Sequence, residues 1–592
     1  MLATDGASHI DRNRRRSPKL HSHIDGRMRR HILAALGAPA SRGRAAGVAR
    51  RCGLAPLHEG GSLHLYCSPD LPSRSLEDGS IVVGDCFAPC GSGPGRPDEG
   101  WGNYLAFGAS GRSATIERAP LTGLPLYWTR QDEGVLCSTS LEILSELGCG
   151  LAVDEAFVGN SLAYPNLRTE RTGVSGLNEL LSGSRLGWTG TSATTTEAWS
   201  PWNYIAPQPA VSVDDLARQL EAVIIDCTRA WCAGRPEILL ELSGGLDSSI
   251  VAAALDAAGA DFSAINFATA AADGDERGFA AAVSAQFGRE LLEVLNDEAT
   301  IDLVGMPNTV RPRPGAYGVL GGLDLAFEQA VGARSVAIFG GIGGDNVFDF
   351  DTSVAPVIDA LQACGVSGTS FAALRNVAQA SEATLWQAAR LSWRAWRDGP
   401  RSPWVRETQF CRNEAMPEQP LPHPWDDAPE ITPRGKRKHV AAIRRILDFL
   451  DRPERWTGRD VIAPLLSQPV VELCLSIPSW TWFTGGRDRA IARQAFARRL
   501  PASIIWRKGK GRLESACSAA YLRQRPALRG LLLDGRLAAL GFLNRAAIEA
   551  YLARDGISGD HDYFRLLEIA DIERWLRSLE SASRAARMAA QR

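Results

Sequence analysis

One segment constrains this chain more than any other: Leu242-Ser243-Gly244-Gly245-Leu246-Asp247-Ser248-Ser249, set between a buried apolar strand predicted over 237–242 and a helix predicted over 248–258. Two glycines let the backbone approach an anion, hydroxyls and N–H groups at the helix start donate to it, and the aspartate can hold a cation. A glycine turn with a serine cap explains one Ser and one Gly, but not the whole octet. The loop therefore reads as a phosphate cradle. It is not a Walker A loop, because no G-x-x-x-x-G-K-S/T occurs in the 592 residues.

The surrounding pattern gives the loop a scaffold. Helical periodicity over 213–233 leads into the strand and helix just named, then a strand over 262–267, a helix over 275–287, a strand over 291–295, a helix over 322–331 and a strand over 335–339. Repeated strand–helix units predict a doubly wound parallel sheet with its ligand at the carboxyl ends of the strands. Upstream, short apolar runs at 62–68, 80–83, 103–107, 114–118, 124–129 and 135–138 have the spacing of an antiparallel β domain, with helices over 141–147 and 154–162. Met28 opens what looks like its first strand. The Pro- and aromatic-rich stretch 199–209 reads as a linker. Beyond 355 the pattern is mostly helical, with a Pro- and Trp-rich interruption over 399–435. The expected organisation is a disordered basic extension over 1–27, a domain over 28–205 and a domain over 206–592.

Composition narrows the class. At 45% hydrophobic and 22% charged residues the chain is ordinary globular protein, and its formal charge of −2 argues against binding nucleic acid through bulk positive charge. The first 50 residues carry eleven Lys/Arg against three Asp, a balance of +8 that leaves −10 for the rest. The most apolar stretch, 250–272, is broken by Asp256 and Asp261, so no membrane span is expected. Twelve cysteines lie scattered without CxxC pairs or zinc spacing, and no secretory signal is evident; reduced thiols and a cytoplasmic location are expected. Five lysines against 60 arginines make each lysine informative.

The octet resembles the pyrophosphate loop of the ATP-pyrophosphatase type found in asparagine synthetases, and the resemblance extends beyond it. Gly340-Gly341-Ile342-Gly343-Gly344-Asp345-Asn346-Val347-Phe348 follows a buried strand and resembles that family's Ser-Gly-Glu-Gly-Ala-Asp-Glu-Leu-Phe. Asp345 thereby matches a magnesium aspartate, and with Asp247 could share one Mg²⁺ with the ATP phosphates, as hard oxygen ligands suit. Asp275-Glu276-Arg277 resembles the family's Asp-Glu after the second strand, and reads equally well as an acidic helix start. Pro464, Glu472, Pro478, Arg487-Asp488-Arg489 and Leu500-Pro501 repeat the order of its carboxy-terminal landmarks and are read as packing features. Trp506-Arg507-Lys508-Gly509-Lys510-Gly511 matches the basic segment that closes over the phosphates. Two lysines there, in so arginine-biased a chain, suggest that a compact ammonium is wanted; Lys510 is chosen, with Lys508 the alternate. The resemblance thus implies Asp247, Asp345 and Lys510 as catalytic, and Leu242, Ser243, Gly244, Gly245, Asp247, Ser248, Ser249, Phe267, Gly340, Gly341 and Lys510 as ATP contacts.

The amino-terminal part resembles the glutaminase domain of asparagine synthetase in Trp101-Gly-Asn-Tyr104, Pro125-Leu-Tyr-Trp128, Ser138-Thr-Ser140 and Gly176-Leu-Asn-Glu-Leu180. That glutaminase uses a cysteine as its mature N-terminal residue. Here Leu2 follows Met1, Arg29 follows Met28, and the first cysteine is Cys52, so the domain is not expected to release ammonia from glutamine. Another amine must then serve as nucleophile, most simply one on the substrate itself. The chain accordingly looks like the lasso-peptide macrolactam synthetases, with more local features in Leu54-Ala-Pro-Leu-His-Glu-Gly-Gly-Ser62, His423-Pro-Trp425, Pro433-Arg-Gly-Lys-Arg-Lys-His439, Ser467-Gln-Pro, Glu472-Leu-Cys and Ile477-Pro-Ser-Trp480.

Over residues 28 to 580 the resemblance implies an α/β protein. An Ntn glutaminase-like α+β domain would precede a doubly wound parallel-sheet ATP-pyrophosphatase synthetase domain with a helical carboxy-terminal part. It implies ATP and Mg²⁺ as cofactors, a precursor (core) peptide as substrate, and a leader-binding protein and leader peptidase as pathway partners. Two other readings compete: an asparagine synthetase-like amidotransferase using ammonia or glutamine, and a catalytically dead scaffold, which the Asp247/Asp345 pair disfavours. Three departures matter. Ile342 stands where relatives carry Glu or Tyr and can move no proton, and Asn346 and Ser467 replace acidic residues. An α-amine of pKa about 7.7–8.0 is already about a tenth neutral at pH 7, so positioning rather than a base is expected to dominate the second step.

Overall fold

The structure is a computed structural model and describes residues 30–590 apart from 38, 89–99, 132–133, 207–210, 270–273, 317, 319, 333, 400, 510, 512–513, 555 and 557–560. The extension expected over 1–27 and the chosen Lys510 lie outside the described residues.

Two six-stranded antiparallel sheets form the amino-terminal part. The first runs in the order Asn178–Glu179, Tyr127–Gln131, Gly134–Ser138, Ile32–Gly37, Leu63–Cys67, Ala55–Gly60. The second runs Ala193–Glu197, Ser184–Trp188, Ser113–Arg118, Trp101–Ser110, Ile81–Phe87, Ser73–Ser75. Side chains alternate across a strand, so Ile32, Ala34 and Leu36 face the second sheet with Leu105, Phe107, Ile116 and Trp188, while Leu33 and Ala35 face helices Leu141–Glu146 and Glu155–Ala163. The apolar runs predicted in this region each become strands to within a few residues. Among the described residues the first strand is Ile32–Gly37, a little after Met28.

The second sheet system is parallel throughout and carries the site. Its order is Leu291–Leu295, Ser263–Ala268, Ile238–Glu241, Ala337–Gly340, Asp460–Ile462. Leu240 pairs with Ala264 on one side and Phe339 on the other. Strand order reverses between Ile238–Glu241 and Ala337–Gly340, the place where an open α/β sheet leaves a crevice at its carboxyl edge. The edge strand Asp460–Ile462 lies in the region read as mostly helical; three residues are too few to carry a periodicity.

Helix Leu246–Ala257 is apolar on all sides because it is covered on all sides, with residues 246–255 buried between the sheet and helix Val213–Cys232. The latter is amphipathic and starts where Ser212 accepts the Asp215 N–H. The stretch read as a linker is anchored: Trp199 is buried, and its Nε1–H donates to Glu472 Oε1 at 2.8 Å. Helices Glu514–Leu533 and Asp562–Ala590 share one core with the helices beneath the first antiparallel sheet, joining the two ends of the chain.

Candidate active site

The phosphate loop is built by backbone that only glycine tolerates. Gly244 has φ of +72°, and a methyl group on it would lie 2.6 Å from the Phe279 side chain. Gly245 is the helix N-cap and receives no side-chain cap bond, so first-turn N–H groups of helix Leu246–Ala257 are left for an anion. Ser243 and Ser248 hydroxyls lie 3.1 Å apart, and the Ser249 hydroxyl donates to the Gly245 carbonyl at 2.7 Å. The Leu242 carbonyl accepts from Asn266 Nδ2 at 2.8 Å, which ties the loop to the second strand.

The Gly340–Phe348 loop lies against the first. A methyl group on Gly341 would come 2.7 Å from the Asp247 carbonyl carbon, and one on Gly344 would come 2.6 Å from Asp247 Cβ. Two chain segments about a hundred residues apart are thereby packed backbone to backbone, and Asp247 and Asp345 point at a common cation. That cation is the Arg489 guanidinium. One of its terminal nitrogens lies 3.3 and 3.4 Å from the two Asp247 oxygens and also pairs with Asp345 Oδ1.

The guanidinium shows that the two carboxylates converge closely enough to share one positive charge. The two hard carboxylates suit Mg²⁺, which takes few protein ligands and fills its octahedron with phosphate oxygens and water. No group of three or more His, Cys, Asp or Glu able to cage a metal exists among the described residues.

A cavity of about 530 Å³ opens over these loops, lined by Ser243, Gly245, Asp247, Ser248, Asn266, Phe267, Glu276, Gly340, Gly341, Ile342, Asp345, Arg489, Arg507 and Lys508, among others. It brings together most of the residues expected to meet ATP; Leu242 and Phe267 line it from the strand ends. Asn266 is buried, and its Oδ1 has no partner among the described residues, an acceptor waiting for a ligand donor. Ile342 contributes an aliphatic wall and packs into the core on both faces of the sheet.

The acidic pair before helix Arg277–Gln286 divides cleanly. Asp275 folds back on Arg277, which donates from Nε at 2.9 Å and holds the carboxyl down at about 2. Glu276 turns into the cavity, where it accepts the Gly511 N–H at 2.8 Å and pairs with Arg507 at 2.8 Å. Arg507 stacks over the Phe279 ring at 3.8 Å and reaches the Gly244 carbonyl. The basic segment is therefore roofed over the phosphate loop by Glu276. Lys508 is exposed at the rim and pairs with Glu382 at 3.4 Å.

Arg489 and Arg507 are the residues that sequence reasoning passed over, both inside quoted motifs. The acidic positions that this chain has replaced serve the fold. Asn346 Nδ2 donates to the Ala442 carbonyl at 2.9 Å, and Ser467 Oγ accepts from Trp231 Nε1 at 2.9 Å. His423 is likewise structural: it caps the turn Pro424–Asp426, its Nδ1 accepting the Trp425 N–H at 3.1 Å.

A second cavity, of about 300 Å³, lies between the antiparallel sheets and the parallel sheet, at the head of the first strand. Arg30 and His31 line it with Asp85, Asn103, Tyr127, Trp231, Asp451 and Gln468, and no cysteine is among its described lining. Arg30 pairs there with Asp70 at 3.2 Å and with Asp460 at 2.6 Å. Cys67 and Cys137, the thiols on strands of this first sheet, are buried in the sheet interface with pKa values pushed up by burial.

No helix among the described residues is long and apolar enough to cross a membrane. A search of curated proteins finds no match. Among solved structures, glutamine phosphoribosylpyrophosphate amidotransferase from B. subtilis, complexed with ADP and GMP, is similar at 8% identity. It covers 52% of this chain and 81% of its own, with a TM-score of 0.18, too loose a superposition to bear on the chemistry. The asparagine synthase family model matches residues 219–577, the stretch that holds both loops, both aspartates and the basic roof. Because that match spans more than half of the chain, this protein belongs to the asparagine synthase family of ATP-using, amide-forming enzymes.

Proposed function

We propose that the protein closes a macrolactam ring in a lasso-type precursor peptide, adenylating a side-chain Asp or Glu and joining it to the peptide's own α-amine. The observation that supports this reading is the meeting of the two glycine loops, Asp247, Asp345 and the Glu276–Arg507 pair around one cavity in a chain of the asparagine synthase family. Beyond Glu382, the partner of Lys508, helix Leu385–Asp398 exposes Trp386, Trp393 and Trp396. On this reading a leader-binding protein and a leader peptidase deliver the core peptide.

In the first step the substrate carboxylate attacks the α-phosphorus of ATP, and the bond from that phosphorus to the bridging oxygen breaks to release pyrophosphate. Ser243, Ser248 and the N–H groups from Gly244 onward stabilise the leaving charge, with Arg507 held above them by Glu276, while Ser249, buried on the Gly245 carbonyl, shapes the loop. Mg²⁺ at Asp247 and Asp345 supplies further positive charge to the phosphates when bound. In the second step the α-amine attacks the activated carbonyl, the bond to AMP breaks, and the amine proton passes to solvent. Ile342 offers no base at the carbonyl, so the walls of the cavity act by orientation.

The test is incubation of the protein with ATP, Mg²⁺ and a leader-free core peptide from its own gene neighbourhood. Loss of one water from the peptide with stoichiometric AMP is expected. AMP formation that depends on ammonia and aspartate, with the peptide unchanged, would return the protein to asparagine synthesis.

A further inference from the structure

Arg489 is held in a conformation that its side chain does not favour. It precedes helix Ala490–Phe496 with φ +51° and ψ +34°, the left-handed region that glycine occupies freely and other residues enter at a cost of about 1 kcal/mol or more. Such an outlier persists only where the surroundings over-determine it. Here they do. Asp488 accepts from Arg489 Nε at 2.8 Å, the Phe350 ring lies 5.1 Å beneath the guanidinium, and Asp247 and Asp345 take one terminal nitrogen between them. Asp488 is fixed in turn by Arg493, whose terminal nitrogen lies at 2.9 Å.

Geometry forbids this nitrogen and a metal ion from sharing the pair. Mg²⁺ sits about 2.0–2.1 Å from its oxygen ligands, inside the space that the guanidinium nitrogen fills between the same carboxylates. The charges also exclude one another, since neither cation gains from a second one at that distance.

We propose that Arg489 is an internal counter-ion that occupies the metal position between nucleotide cycles and is exchanged for the divalent cation, swinging back onto Asp488 as metal and phosphates enter. The exchange keeps two close carboxylates compensated in the empty enzyme and lowers its affinity for free metal, so that metal arrives with the nucleotide. The proposal rests on Asp247 and Asp345 being the metal pair.

The test is Mn²⁺ binding to the full-length protein without nucleotide or peptide, followed by electron paramagnetic resonance, in the wild type, R489G and R489K. Glycine relieves the strain at φ +51°, while loss of the guanidinium from its three carboxylates lowers the thermal midpoint of R489G; circular dichroism checks that the variant is folded at the temperature of the binding measurement. The expected result is that R489G binds free Mn²⁺ about tenfold more tightly than wild type, and that R489K does not, because the ammonium still competes. Equal Mn²⁺ affinity in R489G and wild type would overturn the proposal. The metal-pair reading is tested apart from it by Mn²⁺–ATP binding to wild type and D345N. If D345N binds Mn²⁺–ATP as wild type does, the pair itself is wrong. If D345N loses that binding while R489G gains nothing for free Mn²⁺, the counter-ion idea alone fails.

Discussion

Gly344 lies so close to Asp247 that a methyl group on it would sit 2.6 Å from the aspartate Cβ, and closer still to its carboxyl carbon. The contact has backbone on one side and a helix-borne side chain, 9% exposed, on the other, so neither can give way freely. Gly344→Ala is expected to push Asp247 off its shared position with Asp345. Displacements of about 1 Å at reacting groups cost on the order of a hundredfold in rate, and that is the loss expected in ATP-dependent pyrophosphate release. Circular dichroism should show the fold retained. Wild-type release by G344A would mean that the approach of the two loops does not set the site.

The adjacent acids Asp275 and Glu276 are expected to behave oppositely. Asp275 is spent on its own neighbour Arg277 at the surface, whereas Glu276 holds Arg507 and Gly511 over the phosphate loop. Glu276→Gln should raise the KM for ATP by about tenfold, the scale of one lost charge-assisted contact. Asp275→Asn should leave it within about twofold, as exposed pairs do. Steady-state pyrophosphate release with varied ATP compares them; equal effects would show that the roof is not held by Glu276.

A buried ion network joins the antiparallel sheets to the segments beside the parallel one. Glu179 is fully buried, accepts from Arg118 at 2.7 Å and Arg168 at 2.8 Å, and lies 3.4 Å from Arg313. Arg313 in turn binds Asp448 and Asp451, each at 2.7 Å. Burial works against the Glu179 and Asp451 charges, but the arginines outweigh it and both carboxyls stay below their ordinary range. A carboxyl depressed in this way contributes stability that is complete above its unfolded pKa, about 4.3 for Glu and 3.9 for Asp, and is lost as pH falls further. Glu179→Gln leaves buried guanidinium charge uncompensated and should destabilise by about 3–5 kcal/mol at pH 7. Urea unfolding of the two proteins at pH 7 and pH 3.5 checks this: the gap should narrow at the lower pH.

What the sequence made legible follows from how local each signal is. The octet could be read because every residue in it has a chemical reason within one turn of chain, and Gly344-Asp345 because it repeats that logic after a second strand. Arg489 and Arg507 could not be singled out, since in a chain with 60 arginines the residue type carries no information and only their partners do. The choice between Asp275 and Glu276 depended on where a helix starts, which shifted by two residues to Arg277. Asn266 carries no signal of its own in the strand over 262–267, and only burial with an unpartnered oxygen makes it notable.

Two buried histidines of the synthetase part, His423 and His439, are built to stay neutral, and this bears on the base question left by Ile342. His423 is buried beside Arg444, with its pKa driven well below the ordinary value by burial first and that charge second. His439 is held at about 3 by burial and by Lys436, its Nε2–H donating to the Val347 carbonyl just beyond Asp345. A histidine depressed on folding is protonated first in the unfolded chain, so each such group removes stability as pH falls below about 6.5, at roughly 1.4 kcal/mol per pH unit. His439→Gln should flatten that decline between pH 6.5 and 4.5 in chemical denaturation. Neither ring can gain or lose a proton between pH 7 and 9. The pH profile of amide formation should therefore follow the free α-amine, rising with an apparent pKa of about 8, and His423→Ala should leave that value in place while lowering the amplitude through loss of the cap. A profile displaced by either substitution would place a proton-transfer step on that histidine and end the account in which orientation alone governs the second step.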